Sequence, residues 1–430
     1  MRTTLTLALT CALLAVPGRA RALDLETALR DVAAGSPTLA ARRAMAEAAR
    51  QRVGPAGAWV SPMVEFGAIN VPTTGRFNEE PMTMKMVGIS QRVPVFGANR
   101  LSRGAARAEA GAAVAAVETS LWELSGMAIE AYADAYYANA LALETEVHRG
   151  VMDRLVASAR ARYESGRGRL EDVLRADAER ARLFADLATF RAEESSARAK
   201  LDVLRGVVPA GLPDLLAAPS LAAVPADLAT WLLAVTPGHP RLRELDQQVS
   251  RYRFAARAER RMAWPDLELR ASYGKRETLA GGVRQDDMYS ASVAFMVPLF
   301  SGERGVAEGA EMDAMALASQ SERRVAELAL LEQVTATHAA ALAAQRTVGL
   351  LADTVVAVQR RAVDASWVAY SAGSSDLWRV FEASHSLYGD EIALQRARQD
   401  LAHAEARLIA LTGRWDLIGV KLPDVKRSEP

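Results

Sequence analysis

Val93-Pro94-Val95-Phe96-Gly97-Ala98-Asn99-Arg100 returns as Val297-Pro298-Leu299-Phe300-Ser301-Gly302-Glu303-Arg304, an offset of 204 residues. Other pairs keep nearly the same beat: Pro37 with Pro240 (203), Trp59 with Trp264 (205), Tyr163 and Gly166 with Tyr370 and Gly373 (207), and Leu204-Arg205-Gly206 with Leu411-Thr412-Gly413 (207). A near-constant offset along a whole chain marks an internal duplication, here of units roughly 200 residues long. Between the units, Pro209 to Pro225 is rich in Pro, Ala and Leu and reads as a linker packed against the body rather than a helix.

Within each unit the hydrophobic period changes in the same order. Ser36-Pro37 is a helix start, with a capping serine and proline at the first position, and an Ala/Arg-rich helix follows to Ala56. The period then drops to two. Leu267, Leu269, Ala271 and Tyr273 alternate with Glu268, Arg270 and Ser272, and Tyr289 to Val297 alternates with Ser290, Ser292, Ala294 and Met296. The expected strands are 62–71, 83–93, 265–274 and 288–298, paired by long hairpin loops through Thr74-Gly75 and Gly281-Gly282. After each second strand comes a proline-free stretch, from about Ala98 to Tyr163 and from about Gly305 to Tyr370. Some 65 helical residues would span roughly 100 Å, too long for a globular core, so a coiled-coil assembly is expected. Each long helix turns at a glycine-bearing tip and returns near Gly206 or Gly413.

The expected organisation is therefore a leader at 1–22, a first repeat at 23–206 with helical hairpin 98–206, and a linker at 207–235. A second repeat follows at 236–414 with hairpin 303–413, then a tail at 415–430. Arg2, the apolar run Leu5 to Val16 and Ala20-Arg21-Ala22 read as a cleavable export signal. Cys11 is the single cysteine and lies inside that apolar run after Thr10, a poor setting for acylation, so no lipid anchor and no disulfide are expected.

Composition narrows the function classes. Lys+Arg and Asp+Glu are both 52, and losing Arg2, Arg19 and Arg21 leaves 49 basic against 52 acidic residues, a net charge of −3. A basic nucleic-acid groove is not expected from such a balance. No stretch of 18 uncharged apolar residues is present, which argues against a helical span. The four amphipathic strands are long enough to cross a bilayer when tilted, but four cannot close, and a sheet in lipid must have no open edge. Two copies would give eight strands and three would give twelve.

These features resemble the TolC-type outer-membrane efflux proteins. The resemblance rests on the export signal, the duplicated helix-strand-strand-helix-helix unit, the Val-Pro-x-Phe exits and the Tyr-x-x-Gly-x-x-x-Leu tips at Tyr163/Gly166/Leu170 and Tyr370/Gly373/Leu377. It covers residues 24 to 414, and its look is closest to the outer components of heavy-metal pumps of the CusC/CzcC kind, with a drug-efflux or type I secretion outer channel and a pore-less periplasmic coiled-coil scaffold or adaptor as the alternatives. It implies a mixed α+β membrane protein with four barrel strands and long coiled-coil helices per chain. Three chains would form a homotrimer with a twelve-stranded outer-membrane barrel and a twelve-helix periplasmic tunnel. Adaptor-contacting tips at Gly166, Leu170, Gly373 and Leu377, a periplasmic adaptor, an RND-type inner-membrane pump and no cofactor are also implied. The family's gate pairs an acidic residue on the first tip with a tyrosine and a basic residue on the second. Asp172 and Tyr370 match the first two, Ser375 stands in the basic position, and of two acidic residues aimed at the axis Glu382 matches one while Arg379 replaces the other.

Catalysis finds no support, since nucleophile-elbow, zinc-protease and phosphate-loop motifs are all missing from the sequence. The five histidines are scattered, with no two at i,i+3 or i,i+4. The metal-binding candidates are Met82, Met84 and Met86, whose thioethers suit soft Cu(I) or Ag(I), and His385, one turn after Glu382. Their competing reading is as lipid-facing and solvated residues. At offset 204, Met86 corresponds to Ser290, which puts the methionines on the polar face and Lys85 on the apolar one; a one-residue slip reverses both.

Overall fold

The computed structural model describes residues 22–209, 216–219, 224–235, 238–262, 264–297 and 302–422. The export signal, Pro298 to Ser301 of the second exit motif, parts of the linker and the end of the tail lie outside the described residues.

The chain opens with a helix that the sequence reading did not separate, α1 (Leu25–Gly35), whose N-terminus is capped by Asp24 Oδ1 accepting from the Thr27 N–H at 2.7 Å. Helix α2 (Pro37–Ala56) follows after a single residue. Ser36 does not cap it through its hydroxyl. Its backbone does both jobs instead: its N–H closes α1 on the Val32 carbonyl, and its carbonyl accepts from Ala40 to open α2. Proline at the first helical position has no N–H to satisfy, which lessens the need for a side-chain cap.

Strands β1 (Met63–Ile69), β2 (Met84–Val93), β3 (Asp266–Arg276) and β4 (Met288–Met296) make one antiparallel meander in the order β1-β2-β3-β4. The two repeats are joined in the middle, where β2 pairs β3 from Met84↔Arg276 to Val93↔Leu267. Among the described residues, the edges β1 and β4 pair with no further strand.

Helix α3 (Ala98–Glu164) runs unbroken for 67 residues, roughly 100 Å, and α4 (Leu170–Arg205) returns beside it. In the second repeat the matching rod is α7 (Gly302–Leu350), a π-helical turn at Leu351–Val355, and α8 (Val356–Ser371), 70 residues together. The excess of three residues accounts for the drift of the repeat offset from 204 to 207, and a π turn is how a helix takes up an inserted residue. Helix α9 (Leu377–Thr412) returns.

Helices α5 (Leu228–Val235) and α6 (Pro240–Met262) complete the set. The expected linker is thus partly helical: Trp231 of α5 is buried among Val334, Leu408 and Leu242, with its Nε1–H donating to the Pro225 carbonyl at 3.2 Å. The waist is held by Leu25, Leu29, Val32, Ile129, Leu201 and Ile409 from α1, α3, α4 and α9. At its centre the Tyr132 hydroxyl lies 2.8 Å from the Leu23 carbonyl and 2.7 Å from that of Ala217, tying the N-terminal segment and the linker to α3.

Glu405 of α9 is buried, and burial lifts its pKa to about 7. The folded chain therefore holds a proton there that the unfolded chain releases above pH 4.5, so stability falls as pH rises from about 4.5 through 7. Glu405→Gln removes that loss, worth at most ~3 kcal/mol. Thermal unfolding at pH 5 and pH 8 should show the variant gaining several degrees over wild type at pH 8 and little at pH 5; an equal gain at both would exclude proton uptake as the cause.

Candidate functional site

Register separates the sheet into two faces, because residues directly opposite in an antiparallel pair point the same way. One face carries Val64, Phe66, Val87, Ile89, Leu267, Leu269, Ala271, Tyr273, Tyr289, Val293 and Phe295. The other carries Glu65, Ser90, Arg92, Glu268, Arg270, Ser272, Ser290 and Ser292. The apolar face is bare within the chain: Phe66 is 80% and Tyr289 84% exposed. A soluble monomer rarely leaves such a patch uncovered, whereas a lipid-facing strand surface is built this way. Nine residues of strand extend roughly 30 Å, enough for a ~25 Å apolar band when tilted.

At the roots of the strands sits an aromatic cluster. Phe96 packs on Trp264 with ring centroids 5.1 Å apart, Arg261 lies 5.2 Å over the Trp264 ring, and Trp59 is exposed nearby in sequence before β1. Rings with a polar handle at this level suit a membrane interface.

Met84 and Met86 fall on the polar face, and the Met84 thioether fills the space above Gly274. Met82 lies before the strand and is exposed. Met63, Met288 and Met296 share the polar face, so five thioethers line it. Lys85 does point to the apolar face, but it is the second residue of β2, paired with Lys275, and its Nζ is 2.8 Å from Glu277 Oε1 beside the ring of Phe77. That places it at the outer rim, where a charge reaches water.

At the opposite end are the two tips. Each closes with glycine in the left-handed region, Gly166 at φ 72° and Gly373 at φ 74°. Gly166 N–H donates to the Tyr163 carbonyl and Arg167 N–H to Arg162; Gly373 N–H donates to Tyr370 and Ser374 N–H to Ala369. Both are Schellman turns, which explains the Tyr-x-x-Gly spacing: the tyrosine carbonyl accepts from the glycine. The leucines that complete the motif differ. Leu170 is 49% exposed, while Leu377 is 9% exposed and packs in the tip core, so only Leu170 presents its side chain to a partner. The second tip has Asp376 capping α9 through Arg379 N–H and adds Trp367, Tyr370 and Trp378 around Leu377.

Among the described residues, no hydrogen bond or ion pair joins the expected gate residues Asp172, Tyr370 and Glu382 to one another. The Tyr370 hydroxyl bonds Ser158 Oγ at 3.0 Å with Arg162 5.4 Å over its ring. Asp172 lines a cleft of about 320 Å³ with Arg162, Arg167, Arg169 and Arg175, and among the described residues no hydrogen bond joins it to Tyr370. The Ser375 hydroxyl lies 3.5 Å from the Asp376 carbonyl. Arg379 and Glu382 are both exposed on α9. The Nδ1 of His385 is 2.7 Å from Glu179 Oε1, whose other oxygen receives Arg182.

A group that the sequence reading passed over lies between α3 and α9. Glu144 and His148, one helical turn apart, meet Glu391 and Arg360. The search for histidine pairs missed it because the pattern is Glu-x-x-x-His, with the remaining partners more than 200 residues away.

The outer membrane efflux protein family matches residues 28–207 and 235–414, one stretch in each repeat. The curated outer membrane efflux protein BepC of Brucella suis is 27% identical over 305 residues, spanning 70% of this chain and 66% of that relative. Among solved structures, the outer-membrane channel OprN is 19% identical with TM-score 0.72 over 91% of this chain and 90% of that one. CusC is 16% identical with TM-score 0.75 over 93% of both chains. VceC of Vibrio cholerae is 17% identical with TM-score 0.73 over 93% of this chain and 97% of that one. A match repeated in both halves, on a two-faced sheet rooted in paired helical hairpins, means that this chain belongs to the outer membrane efflux protein family.

Proposed function

We propose that three copies of this chain form the outer channel of a tripartite efflux system, conducting substrate passively from an inner-membrane pump and its periplasmic adaptor to the outside. The observation that carries the reading is the sheet: one bare apolar face, one polar face and two unpaired edges, continuous with rods of roughly 100 Å. Edge β4 of one copy would pair with edge β1 of the next, closing twelve strands in the outer membrane and removing every edge. The helices would extend through the periplasm. The apolar window in the Gly302–Ser371 rod, only 11% buried within the chain, would then face a neighbouring copy rather than lipid.

The tips close the periplasmic end in this reading, with Asp172, Tyr370 and Glu382 as gate residues and Gly166, Leu170 and Gly373 meeting the adaptor; the buried Leu377 supports its tip from within. The pump is of the RND type. The chain itself performs no chemistry. Heavy-metal cations are the cargo that the five polar-face methionines favour, since thioethers suit soft metals; organic compounds are the second reading.

One experiment with two readouts tests this. Purified protein in a planar bilayer should give discrete conductance steps, and none if it is a pore-less scaffold. A deletion strain complemented with the gene should regain resistance to copper and silver; regained resistance only to organic compounds would replace the metal cargo while leaving the channel.

A further inference from the structure

Two carboxylates, an imidazole and a guanidinium converge 11 to 20 residues from the helix ends that form the tips, roughly 15–30 Å along the rods. Glu144 and His148 come from α3, Glu391 from α9 and Arg360 from α8. The candidate ligand atoms of Glu144, His148 and Glu391 all lie within 4.8 Å of one another. The side chains of His148 and Glu391 are each 8% exposed. Glu391 divides its two oxygens: Oε1 receives Arg360 Nε and Nη2 at 3.0 and 2.7 Å, while Oε2 is 2.9 Å from His148 Nε2.

An Arg360–Glu391 ion pair alone would be complete, so a second carboxylate at the same point leaves the group one positive charge short. Burial first, and then the hydrogen bond to Glu391, raise the Glu144 carboxyl above its ordinary range. At Glu391 burial is outweighed by hydrogen bonds from His148 and Arg360, which hold it well below that range.

We propose that Glu144, His148 and Glu391, whose ligand atoms already lie within 4.8 Å of one another, bind one divalent transition-metal cation of the zinc class, which ties α3 to α9. Two ligands one turn apart on a helix with a third from a facing element is a recurrent way to build such a site. One imidazole nitrogen and two carboxylate oxygens suit zinc, cobalt or nickel; calcium and magnesium want more oxygens, and Cu(I) wants sulfur. Bonds of ~2.0–2.2 Å would draw the three ligands inward and leave a fourth position for water. Arg360 is a positioning residue: by holding Oε1 it leaves Oε2 facing His148 Nε2, the role outer partners of metal ligands commonly play. The cation is a resident tie on the helices, separate from any cargo on the methionine face, so the proposal does not depend on the cargo reading.

The test is isothermal titration of Zn²⁺ alone into full-length, chelator-treated protein in detergent. One ion per chain should bind, and thermal unfolding should move upward with added Zn²⁺. Glu144→Gln and His148→Gln should each weaken binding at least tenfold, and Arg360→Gln by roughly 10–100-fold, while Met84→Leu leaves it unchanged. X-ray absorption of the zinc-loaded wild type should show a single imidazole among oxygen neighbours, which tests the site even if a variant fails to accumulate. No binding, binding unaffected by His148→Gln, or a zinc spectrum without imidazole overturns the proposal and leaves the cluster as an ion-paired contact between helices.

Discussion

Val293→Arg is expected to empty the outer membrane of this protein, while Ser292→Arg, one residue away, leaves it there. Val293 sits near the middle of β4 on the bare apolar face, opposite Leu269, and Ser292 points to the polar face opposite Arg270. An arginine on the lipid side at mid-depth costs ~2–4 kcal/mol. Three copies in one assembly multiply that to ~6–12 kcal/mol, comparable with the whole stability of an ordinary fold. On the polar side the same guanidinium stays hydrated and changes ion selectivity instead. Immunoblots of outer-membrane fractions, with bilayer conductance for whichever variant inserts, check both halves. Equal accumulation of the two variants would show that this sheet does not face lipid.

Gly206→Ala is the second large effect. Gly206 ends α4 at φ 76°, and a β-carbon there would sit 2.2 Å from the Gly35 carbonyl oxygen. The approach is mutual, since a β-carbon on Gly35 would meet the Arg205 carbonyl oxygen at 2.4 Å, and Arg205 also holds Asp31 at 2.8 Å. Alanine therefore meets two penalties: the left-handed backbone, ~1 kcal/mol, and a clash with main chain that moves only if α1 leaves α4. Together they place the loss at roughly 3 kcal/mol. Gly75→Ala is the matched control, with φ 71° and open space around it, and should lose only the backbone part. Far-ultraviolet circular dichroism melts should rank wild type, Gly75→Ala and Gly206→Ala in that order; equal melts for the two variants would remove the packing argument.

Much of the architecture was legible because the duplication supplied each period twice. The two-residue alternation gave the strand faces, and the offset of 204 gave their correspondence: Met86 and Ser290 do share the polar face, which one strand read alone leaves open to a slip. Local signals missed what is decided at a distance. Helix α1 adjoins α2 through Ser36 alone, so the proline start at 37 hid the helix before it. The contact of His385 with Glu179 crosses from α9 to α4, so the face of its own helix could not show it. Leu170 and Leu377 occupy the same motif position yet differ in burial, because only Leu377 belongs to the buried tip cluster against which Trp367 and Trp378 pack. The Glu144-x-x-x-His148 spacing was visible, but two polar residues one turn apart are ordinary on a solvated helix. Only Glu391, 243 residues from His148, makes the pair unusual.

The π turn at Leu351–Val355 sets the azimuth of everything below it. In an unbroken α-helix an added residue swings each later side chain by about 100°. A widened turn takes up one of the rod's three extra residues in place, and so changes the phase that the three together would set. Both Arg360, aimed at Glu391, and Tyr370, aimed at Ser158, lie beyond it. The phase of the second tip, and of the charge cluster above it, is thus fixed by one locally overfilled turn, while the first rod, with no such turn, keeps the phase given where it leaves β2.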